Sequence, residues 1–172
     1  LLSQLDARIF DMYSDPLLAA ADIEGDAGET RSVLYQMTAH IFAGGTGESA
    51  HAFHDLSGHA GVAHHWFQIA NSLPLHHARG QIFFTKDMLS QCNLTLDEYV
   101  GGPLSETSLA GLRRIALEHG HRHLNEVRAL LPSAPPLVRP AYSPLHLQAD
   151  LAKQVARKPH EPRLFEINPL RR

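Results

Sequence analysis

The chain has a single cysteine, Cys92, which rules out an internal disulfide and permits a reducing compartment. Basic residues are in the minority, with 15 Lys and Arg against 18 Asp and Glu. No basic stripe exists to follow a nucleic-acid backbone, so nucleic acid is not expected as a partner. No apolar run approaches the length of a bilayer span, which leaves at most a peripheral membrane association. No targeting segment is recognisable. Strict apolar–polar alternation, the mark of a half-buried strand, is missing throughout. Charge is absent where it matters most: no Lys or Arg lies between Arg31 and Arg79, and no Asp or Glu between Asp55 and Asp87.

What the chain does have is helical period. Its 172 residues, 44% of them hydrophobic, suffice for one domain with a real core. Leu2, Leu5, Ile9 and Tyr13 mark a first helix ending before Asp15-Pro16. Ile23, Ala27, Leu34, Met37 and Ile41 mark a second from about Ala19 to Ala43, broken by the glycines at Gly44, Gly45 and Gly47. A third is predicted from about Ser49 to Leu73, ended or kinked by Pro74. Its poverty in charge predicts that other helices surround it, and Gly58 and Gly61 would let a neighbour come close. His76 to Gly80 reads as a loop. A short helix follows from Thr85 towards Gln91. The capping box Thr95-Leu96-Asp97-Glu98 opens another that ends at Gly101-Gly102. A long helix spans about Ser105 to Leu131, with Leu109, Leu112, Ala116, Leu124, Val127 and Leu131 on one side. The prolines from Pro132 to Pro140 form a stiff linker, and Ser143-Pro144 caps and starts a last helix to about Arg157. The fold class is all-α, an antiparallel helical bundle.

One succession of motifs resembles a known family. An Ala/Gly helix around Ala60-Gly61-Val62-Ala63 leads into Leu73-Pro74-Leu75-His76, then Arg79-Gly80-Gln81-Ile82-Phe83-Phe84. Asp87-Met88-Leu89 and Leu96-Asp97-Glu98-Tyr99 continue the order, and Asp6 to Asp11 with Glu24 to Thr30 resemble its preceding helix pair. The pattern is similar to that of the squalene/phytoene synthases. The resemblance implies the isoprenoid synthase fold, of which residues 1–172 look like a C-terminal, incomplete portion. In the family's active members, acidic motifs on facing helices hold magnesium ions that neutralise a leaving diphosphate. Aligning Arg79-Gly80 with the family's Arg-Gly places Ser72 and His76 at the two aspartate positions, Leu75 at the intervening glutamate and Asn71 at the arginine before the motif. Serine is a poor magnesium ligand, and imidazole suits zinc or copper better. Shifting the alignment by a turn supplies no acid, because the whole Asp55–Asp87 interval lacks one. The other acidic motif would lie upstream of Leu1.

The resemblance therefore implies a pseudoenzyme. Leu-Pro-Leu-His in place of the acidic motif looks like the branch that includes a mitochondrial complex I assembly factor and its alphaproteobacterial relatives. On that reading the chain binds no metal or other cofactor and acts as a non-catalytic interaction or assembly factor. Its partner would be a protein such as a respiratory-complex subunit or assembly intermediate, in the bacterial cytoplasm or mitochondrial matrix. Two other readings stand beside it. In one the chain is a fragment or divergent copy of a prenyltransferase that condenses prenyl diphosphates with Mg2+. In the other the old cavity holds an isoprenoid or lipid without turnover.

Individual residues carry paired readings. Arg79 suits contact with a phosphate or another anion; otherwise it is a loop arginine that meets a carboxylate or water. Trp66, Phe67, Phe83 and Phe84 would line a cavity in active relatives, or else pack a core. Thirteen histidines invite a metal site, but their spacings match no zinc pattern, and His119 and His123 share a helix face that His121 does not. Asp22, Asp26 and Glu29 fall on one helical face, either a set of ligands or a solvated surface. Cys92 has no context that would activate it and reads as packed.

Overall fold

A computed structural model describes residues 19–45 and 53–167. The predicted first helix, with Leu2, Leu5, Ile9 and Tyr13, lies outside the described residues, as do Gly47, Ser49 and His51. Among the described residues there is no strand, and no helix is long and apolar enough to cross a membrane.

The predicted second helix forms as three consecutive segments, α1 (Ala20–Ala27), a π-turn (Gly28–Ser32) and α2 (Val33–Phe42). The Asp22 carboxylate accepts from the Ala19 N–H at 2.8 Å and closes the start. The π-turn corrects the sequence reading. Ile23 and Ala27 are buried as expected, but the next buried positions are Ser32, Tyr35 and Ala39. The step from Ala27 to Ser32 is five residues, the period of a π-turn, where an α-helix steps three or four. Every later side chain is rotated accordingly. Leu34, Met37 and Ile41, expected to face the core, are instead 52%, 55% and 75% exposed.

The central helix, α3 (His54–Ala78), packs on α2, the π-turn and two later helices. Its lack of charge follows from this position, since few of its faces meet water. Gly61 lets the π-turn cross: a Cβ there would stand 2.4 Å from the Ser32 backbone nitrogen. Gly58 serves no such purpose, as nothing lies within 4 Å of its would-be Cβ.

Pro74 does not end α3, which runs one turn further than its sequence predicts. Proline lacks the N–H that would bond the carbonyl of Ala70. That carbonyl accepts instead from Nε of Arg113, at 3.0 Å. His76, His77 and Ala78, read from sequence as loop, are thus helical. The helix ends in a Schellman motif: Gly80, at φ 67°, donates to the His77 carbonyl and Gln81 to that of His76.

Two short helices follow, α4 (Lys86–Gln91) and α5 (Leu96–Gly101). Thr85 caps α4 by accepting from the Met88 N–H. Thr95 and Glu98 form the predicted reciprocal capping box of α5. The long α6 (Glu106–Leu130) is capped by Ser105 and packs on α3 along its length. The pairs His59–His123, Trp66–His119 and Ala70–Arg113 show that the two run antiparallel. The proline-rich linker does not stand off as a spacer. It coils into 3-10 turns at Leu131–Ser133 and Arg139–Tyr142 and buries Val138, Ala141 and Tyr142. α7 (Ser143–Arg157) then covers a second side of α3. Ser143 is its first residue and not its cap, since its hydroxyl donates backwards to the Pro140 carbonyl.

The C-terminal strap, residues 158–167, is tied back to the core. The Asn71 amide accepts from the Phe165 N–H and donates to its carbonyl, at 2.8 and 3.0 Å. The guanidinium of fully buried Arg113 donates to the carbonyls of Pro159, Glu161 and Arg163 as well as Ala70. Asn71 is therefore committed to holding this strap.

Candidate functional site

Where the π-turn crosses α3 it leaves a cavity of about 270 Å³. Asp26, Thr30 and Arg31 form one wall, and His65, Gln68, Ile69 and His76 of α3 form the other. Arg79, Gln81 and Phe83, at the end of α3 and just beyond, close the third side. Two helical features set this arrangement. The π-turn brings Arg31 against Gln68, whose side-chain oxygen accepts from the guanidinium. The extra turn of α3 past Pro74 carries His76 and Arg79 to the cavity mouth. Without it, both would lie on a loop.

Of the residues singled out from sequence, His76, Arg79 and Phe83 come together in this cavity. His76 is fixed there by a 2.9 Å hydrogen bond between Nδ1 and the Gln81 side-chain oxygen, and its ring meets Phe83 edge-on. Ser72, partly buried one turn earlier on α3, is not among the side chains that line it. Trp66, Phe67 and Phe84 are fully buried in the helix-packed core. Trp66 stacks on His119, and Phe67 fills the space that Gly120 leaves open. Asp22, Asp26 and Glu29 do not converge: only Asp26 reaches the cavity, 4.0 Å from His65, while Asp22 and Glu29 are exposed. Cys92 is partly buried beside Gly111, and burial pushes its thiol up. Sequence reasoning did not single out Thr30, Arg31 and Gln68. No motif spacing connects them to α3, and only the crossing at Gly61 does.

The cavity lining holds more cationic than anionic side chains. Two guanidinium groups, Arg31 and Arg79, and two imidazoles face one carboxylate, Asp26. A second, mostly apolar depression lies on the other side of Arg31, lined by Leu34, Tyr35, His64 and Ala141 among others. There His64 Nδ1 and the Tyr35 hydroxyl are 2.9 Å apart. Burial, helped by the nearby Arg31 cation, brings the His64 imidazole down to about 4. Burial also raises the Tyr35 phenol above its ordinary range. A histidine depressed in the folded state is stabilising above its unfolded value of 6.5. That contribution is lost as pH falls from there towards 4, where the unfolded chain takes up the proton first. Unfolding free energy is expected to fall by roughly 2–3 kcal/mol across that window, with His64→Gln removing most of this part of the slope. Urea unfolding at a series of pH values checks it.

The sequence profile of the squalene/phytoene synthase family matches residues 1–170, and the chain belongs to that family. Searches of curated proteins and of solved structures gave no match. The all-α architecture agrees with the isoprenoid synthase fold of the family. The family's chemistry calls for magnesium, so the donors present decide whether this cavity suits it. Magnesium needs several hard oxygen ligands, above all carboxylates. The cavity presents one carboxylate, Asp26, beside two guanidinium groups and two imidazoles. The Thr30 hydroxyl is already donating to the Asp26 carbonyl at 2.7 Å. This donor set does not fit a magnesium cluster. Among the described residues, no three His, Cys, Asp or Glu side chains converge as metal ligands.

Proposed function

We propose that this chain is a non-catalytic member of the squalene/phytoene synthase family that acts as an interaction or assembly factor. The observation that carries the reading is the composition of the cavity beside Arg79. Arg31 and Arg79 supply positive charge to a cavity with one carboxylate, and on the motif alignment His76 in its wall takes one aspartate position and Ser72, outside the lining, the other. Fixed guanidinium groups bind an anion but do not reproduce the paired divalent charge needed to ionise an allylic diphosphate. The exposed row Leu34, Met37 and Ile41 on α2 also supports the reading. This charge-free helix face has the spacing that an amphipathic helix of a partner protein would cover. The branch that shares Leu-Pro-Leu-His points to a subunit or assembly intermediate of respiratory complex I as that partner.

Deletion from the host organism separates this reading from a metabolic one. The expected phenotype is a loss of assembled complex I with unchanged squalene and phytoene. Normal complex I with depleted C30 or C40 isoprenoids would overturn it. The Arg31–Arg79 pair supports a second role at the same site, retention of an isoprenoid or lipid by its phosphate. Native mass spectrometry of the purified chain is expected to show a phosphate-bearing adduct that Arg79→Glu abolishes, and an empty wild-type protein would exclude it.

A further inference from the structure

The polar cavity and the apolar depression meet at Arg31, which lines both. Leu34 carries the depression on to the exposed row Leu34, Met37 and Ile41. Order along this surface is set by the chain. Arg79 stands at one end, then Arg31 and the depression, and the row runs on down α2. Arg31 to Ile41 spans about 15 Å, nearly three helical turns.

Each part asks for a different group. The depression holds about 190 Å³ between α2, His64 of α3 and Ala141 with Pro144 at the start of α7. Its polar side chains are already engaged: Tyr35 with His64 at 2.9 Å, Thr38 with the Leu34 carbonyl at 2.8 Å, and Arg31 with Gln68. An apolar side chain entering there strips none of these bonds, and the space suits one large residue. From Val33 to Phe42, α2 has no Lys, Arg, Asp or Glu, and its His40 lies edge-on to Phe53. At the other end Arg79 is exposed, and no carboxylate among the described residues lies within ion-pair distance of it. That end suits an acid.

We propose that this surface is the docking site for an amphipathic helix of a partner protein, with a large apolar side chain in the depression, further apolar residues along α2 and an Asp or Glu at Arg79. This docking rests on the reading of the chain as an interaction factor and adds what the partner must present. Charge disfavours two other occupants. A membrane-binding face would be flanked by cations along its length, and here they stand at one end. A second copy would bring no acid on its own α2 to meet Arg79. Reach disfavours a third. The helix predicted over Leu2 to Tyr13 would be about 18 Å long, while Ala19 to Leu34 takes about 22 Å, so running back along α1 it would stop short of Met37 and Ile41.

Photocrosslinking in the host tests it, with p-benzoylphenylalanine in place of the exposed Met37 of the full chain. The adduct is expected on another protein, in a segment with apolar residues three and four apart and an acid within about two turns of them. A synthetic peptide of that segment should bind the purified chain, and both Leu34→Glu and Arg79→Glu should weaken it at least about tenfold. Replacing the peptide's acid by lysine should recover the Arg79→Glu loss. Both replaced side chains are exposed, and circular dichroism checks that the variants keep the fold. An adduct on residues 1–18, on a second copy or on lipid alone would overturn the docking, as would a segment without an acid or a peptide indifferent to Arg79→Glu. Absence of any adduct would overturn it too, and loss of assembled complex I on deletion would then still uphold the interaction reading.

Discussion

Arg113→Ala is expected to lower the unfolding free energy by about 3–5 kcal/mol, the range for stripping a buried charge from its partners. Arg113 is fully buried, and burial brings its guanidinium down to about 10. It remains charged at neutral pH. Four carbonyls accept from it, those of Ala70, Pro159, Glu161 and Arg163. Removing the side chain leaves them without this donor and frees the strap that Asn71 also holds. Lysine is not expected to rescue the loss, because a single ammonium cannot reproduce the planar fork that reaches four oxygens. One contact is separable from the rest. The Ala70 carbonyl takes its donor from Arg113, because Pro74 has no N–H to give it. In the Arg113→Ala background, Pro74→Ala should therefore recover about 1 kcal/mol as the helix supplies its own donor. In the wild type, the same change should recover much less. Urea unfolding of the four proteins completes the cycle.

Gly61→Ala is expected to cost about 3 kcal/mol, more than a surface glycine substitution in a helix could. The added methyl would sit 2.2 Å from Ser32 Oγ, 2.4 Å from its nitrogen and 2.5 Å from its Cα. Two of these are backbone atoms of the π-turn, so no rotamer change relieves the clash and the turn must back away. Ser32 would then lose its 3.0 Å hydrogen bond to the Gly58 carbonyl, and Arg31 would be drawn away from Gln68 in the cavity wall. Gly58→Ala, three residues earlier, is the control. With open space at its Cβ, it should stabilise α3 by about 0.5–1 kcal/mol through helix propensity alone. Thermal unfolding of the pair reports the difference directly.

Most of the described helices are legible in the sequence because local chemistry writes them. Thr85, Thr95 with Glu98, and Ser105 each start a helix where a cap is expected. The missing charge around α3 announces its central place. Two features depend on residues far away in the chain and leave no local trace. A π-turn is one extra residue in a helix, and counting apolar positions cannot distinguish it from a continuous period. For that reason Leu34, Met37 and Ile41 appear to be core in the sequence and are exposed in the fold. The donor that meets the Ala70 carbonyl in place of a Pro74 N–H is Arg113, which no helical rule connects with Ala70. The site divides in the same way. His76, Arg79 and Phe83 follow from motif order on one stretch of chain. Arg31, Thr30 and Gln68 become neighbours only through the crossing at Gly61. Glu24 likewise meets His119, Arg122 and His123 only once α1 lies against α6.

The proposed non-catalytic role means that the cavity lined by Arg31, His76 and Arg79 does not carry out prenyl transfer. Its most direct test is incubation of the purified chain with magnesium and farnesyl or geranylgeranyl diphosphate, following pyrophosphate release and the organic products. The expected result is no pyrophosphate above the protein-free control and no coupled product. Pyrophosphate released together with a C30 or C40 hydrocarbon, and lost on Arg79→Ala, would contradict it.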